Sequence, residues 1–333
     1  MQTNKISTLQ RPEIPLKKEM NSSTDSVRNF SINCRGRFKE YVLENTVISL
    51  LSTALNLGSC PVIILMNVLV IVAIKTRRRL QSTYNILLAC LAVTDLAVGV
   101  VSQPLFIAQE IYFLSGASLL DYCYLFRLIV YVLLVPNIES LLILAILSTE
   151  RYVAMKYSLR YNSIVTTPKL IGVVVCGWVI SAIPLITSLI PGIRFAGLSA
   201  LLAYITVIPP FLVIVFCHTK VYFISRRHMN QIKTEQLPST TKAKFLKERK
   251  ALKTTSIIIG FLFLSIMPSV LHGVIKITGV QPWNFYEKQL YWLPINFLCI
   301  FLNSLFNPLI YCWRNKDLRK VMMELINIRQ NGN

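Results

Sequence analysis

The sequence predicts an all-α membrane protein, a seven-transmembrane helix bundle followed by a short amphipathic eighth helix. Three observations carry this. Seven long apolar runs are separated by short polar stretches, and five of them (45–74, 170–193, 195–219, 254–275 and 289–313) contain no Asp, Glu, Lys or Arg. Each reaches the roughly 20 residues that a helix needs to cross the hydrocarbon core. The bilayer admits only helices or closed barrels, and unbroken runs of this length lack the alternation of a barrel strand. The remaining two runs, about 83–108 and 123–149, are equally long but hold the acids Asp95 and Glu139. Finally, the chain is 54% hydrophobic and only 15% charged, too little charge for a soluble domain of 333 residues.

Each element can be read in order. Residues 1–44 form a polar arm expected to be disordered and extracellular, with sequons at Asn21 and Asn29 for glycosylation. The transmembrane domain spans 45–313, and 314–333 form a short amphipathic helix and tail. Run one holds Asn67, run two Asp95, and run three ends in Glu150-Arg151-Tyr152. Run four holds Trp178, run five Pro210 and run six Pro268, while run seven ends in Asn307-Pro308-Leu309-Ile310-Tyr311. The connection 191–197 between runs four and five is very short and has no cysteine. The polar segment 228–247, with Pro238 and Ser239-Thr240-Thr241, reads as a flexible stretch between runs five and six. From Asn315 to Arg329, Leu318, Val321, Met322, Leu325 and Ile326 share one helical face, leaving Arg319, Lys320 and Arg329 for lipid phosphates.

The formal net charge of +20 is parcelled into loops, not gathered on one folded face, so a nucleic-acid partner is not expected. Short basic loops stay in the cytoplasm. Lys75, Arg77, Arg78 and Arg79 follow run one; Lys156, Arg160 and Lys169 follow run three; ten Lys and Arg lie from Lys220 to Lys253. This places the N-terminus outside, although the arm itself is basic. Eight cysteines occur with no CxxC pair and only three histidines, which argues against a zinc site. On this topology Cys34 and Cys123 lie outside, where they either pair or remain free thiols.

One landmark per run, in this order, resembles the rhodopsin-like (class A) G-protein-coupled receptors over about residues 45–326. The segment 159–166 and the start of run six at 253–260 resemble the adenosine and melanocortin receptor branch. The resemblance implies a plasma-membrane receptor, not an enzyme, that couples an extracellular ligand to a heterotrimeric G protein, with arrestin and membrane lipid as further partners. No resident cofactor is implied. The tail from Cys312 onward has no Ser or Thr, so either phosphates for arrestin fall on the inner cluster 239–241, or these are plain linker residues and arrestin binds weakly or not at all.

The resemblance also implies site roles. Glu150, Arg151 and Tyr152 would face the G protein, with Glu248 holding Arg151 at rest. Asn67, Asp95, Ser140, Asn303, Ser304, Asn307 and Tyr311 would form an intramembrane polar network. In relatives that network binds a sodium ion; the alternative is plain polar glue between helices. Trp178, Pro210, Pro268 and Pro308 are helix landmarks. Glu110, Arg127, Leu133, Asn137, Glu139, His272, Asn296 and Phe297 are the ligand-pocket candidates.

Several positions depart from the family pattern. Met66 stands where Gly precedes the run-one Asn, Ile266 replaces the run-six Trp, Leu262 replaces a Phe, and His218 replaces a run-five Tyr. The ligand is not legible: Leu133 stands at the amine receptors' Asp, Phe301 at the opsin Lys, Gly273 at the adenosine receptors' Asn, and Val130 at a melanocortin-receptor acid. Two other function classes stay open at this point, a non-signalling receptor-like partner and a small transporter or channel. The second would need a continuous polar path or broken midplane helices.

Overall fold

The computed structural model describes residues 46–114, 119–158, 160–189, 196–234, 239–278 and 285–331. The N-terminal arm, Asn21, Asn29 and Cys34 therefore lie outside the described residues, as do the side chains of Cys123, Arg127, Glu248 and His272.

The described chain is helical. Helix α1 spans Thr46–Thr76, and α2 runs through Thr83–Ala97, a π-helical turn Val98–Ser102, and Gln103–Leu114. Then follow α3 (Leu119–Lys156), a single turn Tyr161–Ile164, α4 (Thr167–Leu189), α5 (Ala196–Thr234), α6 (Ser239–Thr278), α7 (Phe285–Arg314) and α8 (Lys316–Asn331). Seven helices among the described residues are long and apolar enough to cross a membrane. Their outward faces carry exposed Leu, Ile, Val and Phe, such as Leu57, Val179, Leu212, Phe216 and Leu264. In water such faces would be costly; against lipid tails they cost nothing.

Helix α3 is central, packing against α2, α4, α5 and α6, while α7 joins α6 to α1 and α2. The main core gathers Val70, Leu88, Leu91, Ile143, Leu144, Leu147, Ile258, Leu262, Ile310 and Tyr311 between these helices. Leu262 and Ile266, two of the departures from the family pattern, pack in or against this core.

The π turn in α2 was not legible, yet its cause is in the sequence. Pro104 has no N–H and its ring crowds the preceding turn. Gln103 N–H reaches back to Val98 O, so the next i+5 donor, for Gly99 O, would be Pro104. The Cys60 thiol of α1 donates to Gly99 O instead, at 3.2 Å. Glycine at 99 permits that approach, since a Cβ there would lie 3.0 Å from Ile64 Cγ1 and 3.1 Å from Ile63 Cγ2.

The segment 228–247 corrects an expectation. Helices α5 and α6 continue far past the apolar runs, to Thr234 and from Ser239. Lys, Glu, Gln and Arg are good helix formers, and helix once nucleated in the membrane propagates into such a stretch.

Helix α8 begins where the Asn315 side chain accepts from Leu318 N–H at 3.3 Å. Leu318, Val321 and Met322 are buried, and Arg319 and Lys320 are exposed, as the periodicity predicts; Ile326 is exposed, at the rim of the apolar face. Glu324 meets Arg77 at 3.3 Å, an exposed pair worth about 1 kcal/mol or less.

Candidate functional site

Three groups of predicted residues come together inside the bundle, at different depths. The first lies at the C-terminal end of α3. Glu150 and Arg151 are both buried, with side chains 1% and 6% exposed. Neighbouring helix positions do not normally face each other. Here the long Arg151 side chain folds back, so that its Nε and Nη2 both donate to the Glu150 carboxylate. Tyr161, from the single turn after α3, donates its hydroxyl to the same carboxylate. Burial, and then the Glu150 charge beside it, push the Tyr161 phenol above its ordinary range, so it remains a donor. The Tyr84 ring of α2 lies under the guanidinium, 4.7 Å from its centroid. Tyr152 is half-buried and turned toward α5, its ring 6.3 Å from Phe216.

The second group is at mid-depth. Asp95 is buried and accepts from Asn307 Nδ2 at 2.8 Å, tying α2 to α7. Asn67 of α1 donates to Ser304 O of α7 at 3.2 Å and to Ile63 O at 2.9 Å. Ser304 neighbours the Asp95 carboxyl, and Tyr311 is buried nearby. Ser140 reaches the network through Thr94. Its hydroxyl pairs with Thr94 at 3.0 Å, one position before the acid. Thr94 also back-bonds to Leu91 O at 2.7 Å.

The third group fills the space between the N-terminal half of α3, the far half of α2 and α7. Phe106, Leu133, Phe297 and Phe301 form one apolar cluster with Val98 and Ile129. Phe106 lies 5.0 Å from Phe297 and 5.5 Å from Phe301, ring centre to ring centre. Phe106 escaped sequence reading because an apolar residue in an apolar run gives no signal of which helix it faces. Asn296 is half-buried on α7, and Asn137 donates to Leu133 O at 2.7 Å. Glu110 is buried too, but it faces α1, where Ser49 donates to it. It heads a polar seam in which Gln103 Nε2 bonds Asn56 O, Asn56 Oδ1 and Ser59 Oγ at 3.1, 3.1 and 2.9 Å.

Glu139 does not join the apolar cluster. It is fully buried against α4, where a Cβ on Gly177 would lie 2.6 Å from Glu139 Oε2. Neither carboxyl oxygen has a hydrogen-bond partner among the described residues. A buried polar group without a partner costs about 1–3 kcal/mol. Glu139→Met, of similar length and no polarity, is therefore expected to raise the melting temperature of the purified protein by several degrees, read by thermal unfolding. An unchanged or lowered melting temperature would show that the carboxyl is satisfied.

The landmarks sit inside their helices. Trp178 packs half-buried against the main core, Pro210 and Pro308 are buried, and Pro268 is half-buried. His218, in place of the family's Tyr, bridges α5 to α6 through Ser256 Oγ at 3.3 Å from Nδ1.

The family model described as 7 transmembrane receptor (rhodopsin family) matches residues 66–193 and 194–311. Among curated proteins, the chain is similar to adenosine receptor A2a of Canis lupus familiaris, 27% identical over 292 residues, 79% of this chain and 69% of that protein. It is similar to adenosine receptor A2b of the same species, 25% identical over 308 residues, covering 83% and 90%. The A2b receptor of Homo sapiens is 26% identical over 295 residues, covering 78% and 85%.

Proposed function

This chain belongs to the rhodopsin family of seven-transmembrane receptors, and from that premise we propose that it relays an extracellular ligand's signal to a heterotrimeric G protein at the plasma membrane. The observation that carries the reading is Arg151, buried at the end of α3 and turned back onto Glu150. A G protein docking at that end would compete for the guanidinium, so ligand and G protein would bias the same two arrangements of the helices. The orientation rests on the basic loops, which put the Arg151 end in the cytoplasm and the Phe106–Phe297 cluster in the outer half. The chain is a receptor and not an enzyme, and the transporter and silent-partner readings are not favoured.

The ligand group is apolar or aromatic where it meets Phe106, Leu133, Phe297 and Phe301. Adenosine, named by the relatives, is disfavoured because Gly273 replaces the Asn of the adenosine receptors. The mid-depth network fits a small hard cation such as sodium. Asp95 Oδ1, Asn303 Oδ1 and Asn307 Oδ1 are buried acceptors without partners among the described residues, and such cations take oxygen ligands. When bound, the ion would neutralise the Asp95 charge; the residues themselves join α2, α1 and α7. A Lys- and Arg-bearing face on α8 supports contact with lipid phosphates, and Ser239-Thr240-Thr241 offers a cluster of hydroxyls where phosphates for arrestin could be placed.

Nucleotide exchange on a panel of purified G proteins, with the receptor in lipid nanodiscs, tests the reading. Exchange above empty nanodiscs, rising with an active compound from a ligand screen, is expected. No exchange on any G protein, basal or stimulated, would overturn it.

A further inference from the structure

We propose that Tyr84 is a positioning residue that latches Arg151 and α6 together in the resting receptor, a role resting on the G-protein reading above. Its ring and its hydroxyl face different helices. The Arg151 Cζ lies over the ring, 4.7 Å from its centroid. The hydroxyl reaches α6, 3.4 Å from Thr255 Oγ1 and 3.5 Å from Ala251 O. One side chain from α2 thus spans to both α3 and α6.

The geometry has a chemical logic. Arg151 donates to the Glu150 carboxylate through Nε and Nη2 and sits over an aromatic ring, two ways a guanidinium is bound well. The setting is dry, since Arg151, Glu150 and Thr255 are all buried, and a cation over a ring gains most when desolvated. The hydroxyl contacts are long for O–H···O bonds and contribute less than the ring. They matter through direction. Any outward movement of the α6 end that carries Ala251 and Thr255 breaks them, and any withdrawal of Arg151 toward a G protein uncovers the ring. Two further polar contacts described at this end of α6 join it to other helices: Arg314 Nε to Thr254 Oγ1 at 3.5 Å, and Ser256 to His218. Neither touches Arg151.

The test separates the ring from the hydroxyl and from simple folding. Tyr84→Met keeps bulk without a π face, Tyr84→Leu is a second variant of that kind, and Tyr84→Phe and Tyr84→Trp keep the ring. A fluorinated phenylalanine encoded at Lys253, exposed on α6, reports the helix position in purified receptor without any G protein. The Met and Leu variants are expected to enlarge the minor α6 signal and to raise basal nucleotide exchange roughly threefold to tenfold at equal receptor amount. Phe and Trp, which keep the ring but lose the hydroxyl contacts to α6, should fall between wild type and the Met and Leu variants. If the α6 signal is unchanged in both Met and Leu variants, the latch is wrong, and the receptor reading survives wherever Glu150→Gln still activates. If Phe shifts α6 as much as Met, the ring is not the element and the proposal is overturned. If Met and Leu shift α6 but no variant drives exchange on any G protein, the latch stands and the receptor reading fails.

Discussion

Glu150→Gln is expected to raise ligand-independent signalling more than any other single change at the Arg151 end. The substitution keeps size and hydrogen-bonding capacity but removes the charge that Arg151 folds back to meet. Removing the charged partner of a buried pair typically costs several kcal/mol. Arg151 can relieve part of that by snorkelling outward to water and phosphates. A net loss of about 1–2 kcal/mol from the resting arrangement then remains, which enlarges the active population roughly 5–30-fold. Tyr161 also loses its charged acceptor, though its hydroxyl can still donate to the Gln oxygen. Basal nucleotide exchange per receptor is the measurement. A basal rate equal to wild type, with the variant folded and ligand-responsive, would show that the pair does not hold the resting state. The pair first expected there, Arg151 with Glu248, involves a side chain outside the described residues and is not tested by this variant.

Asp95→Asn should abolish any stabilisation of the receptor by sodium. Asp95 is the carboxylate of the mid-depth network; its Oδ1, like Asn303 Oδ1 and Asn307 Oδ1, is buried without a hydrogen-bond partner among the described residues. Replacing it by an amide removes the charge that would hold a monovalent cation, while the remaining oxygen can still accept from Asn307. The measurement is the melting temperature of purified receptor as sodium chloride replaces N-methyl-glucamine chloride at constant ionic strength. Wild type should gain stability with sodium, following the linkage of ligand binding to folding, and the variant should give a flat line. Once an agonist is found, sodium should weaken its binding to wild type by roughly fivefold or more, the usual scale of allosteric coupling, and leave the variant unaffected. A sodium response that persists in Asp95→Asn would place the ion elsewhere. A flat line in wild type would reduce the network to polar glue.

Charge-poor runs of membrane length determined the seven helices before any contact was known, because an apolar helix of about 20 residues has no better place than a bilayer. The amphipathic face of α8 was legible for a similar reason. Its period is local, and its cap, Asn315, is in the sequence. The landmark residues gave the family and, through it, Asp95, Asn307, Glu150 and Arg151 as residues that belong together. What each one touches was decided only by the tertiary structure. Ser140 of α3 paired with Thr94 of α2, which the order of residues along either run does not show. Glu139 went to the gap left by Gly177 on α4 and not to the apolar cluster, since helical rotation about α3, which no run of apolar residues reveals, sets the face it shows. The polar seam from Ser49 and Asn56 to Gln103 and Glu110 needed α1 and α2 side by side to become visible. Tyr84 is the clearest case. In the sequence it is one aromatic at the start of an apolar run, and its ring under Arg151 with its hydroxyl toward Thr255 arises only where three helices, distant in the chain, converge. Composition and period are properties of a segment and can be read from it, whereas a contact between segments depends on how each helix is turned, which the packing of the whole bundle fixes.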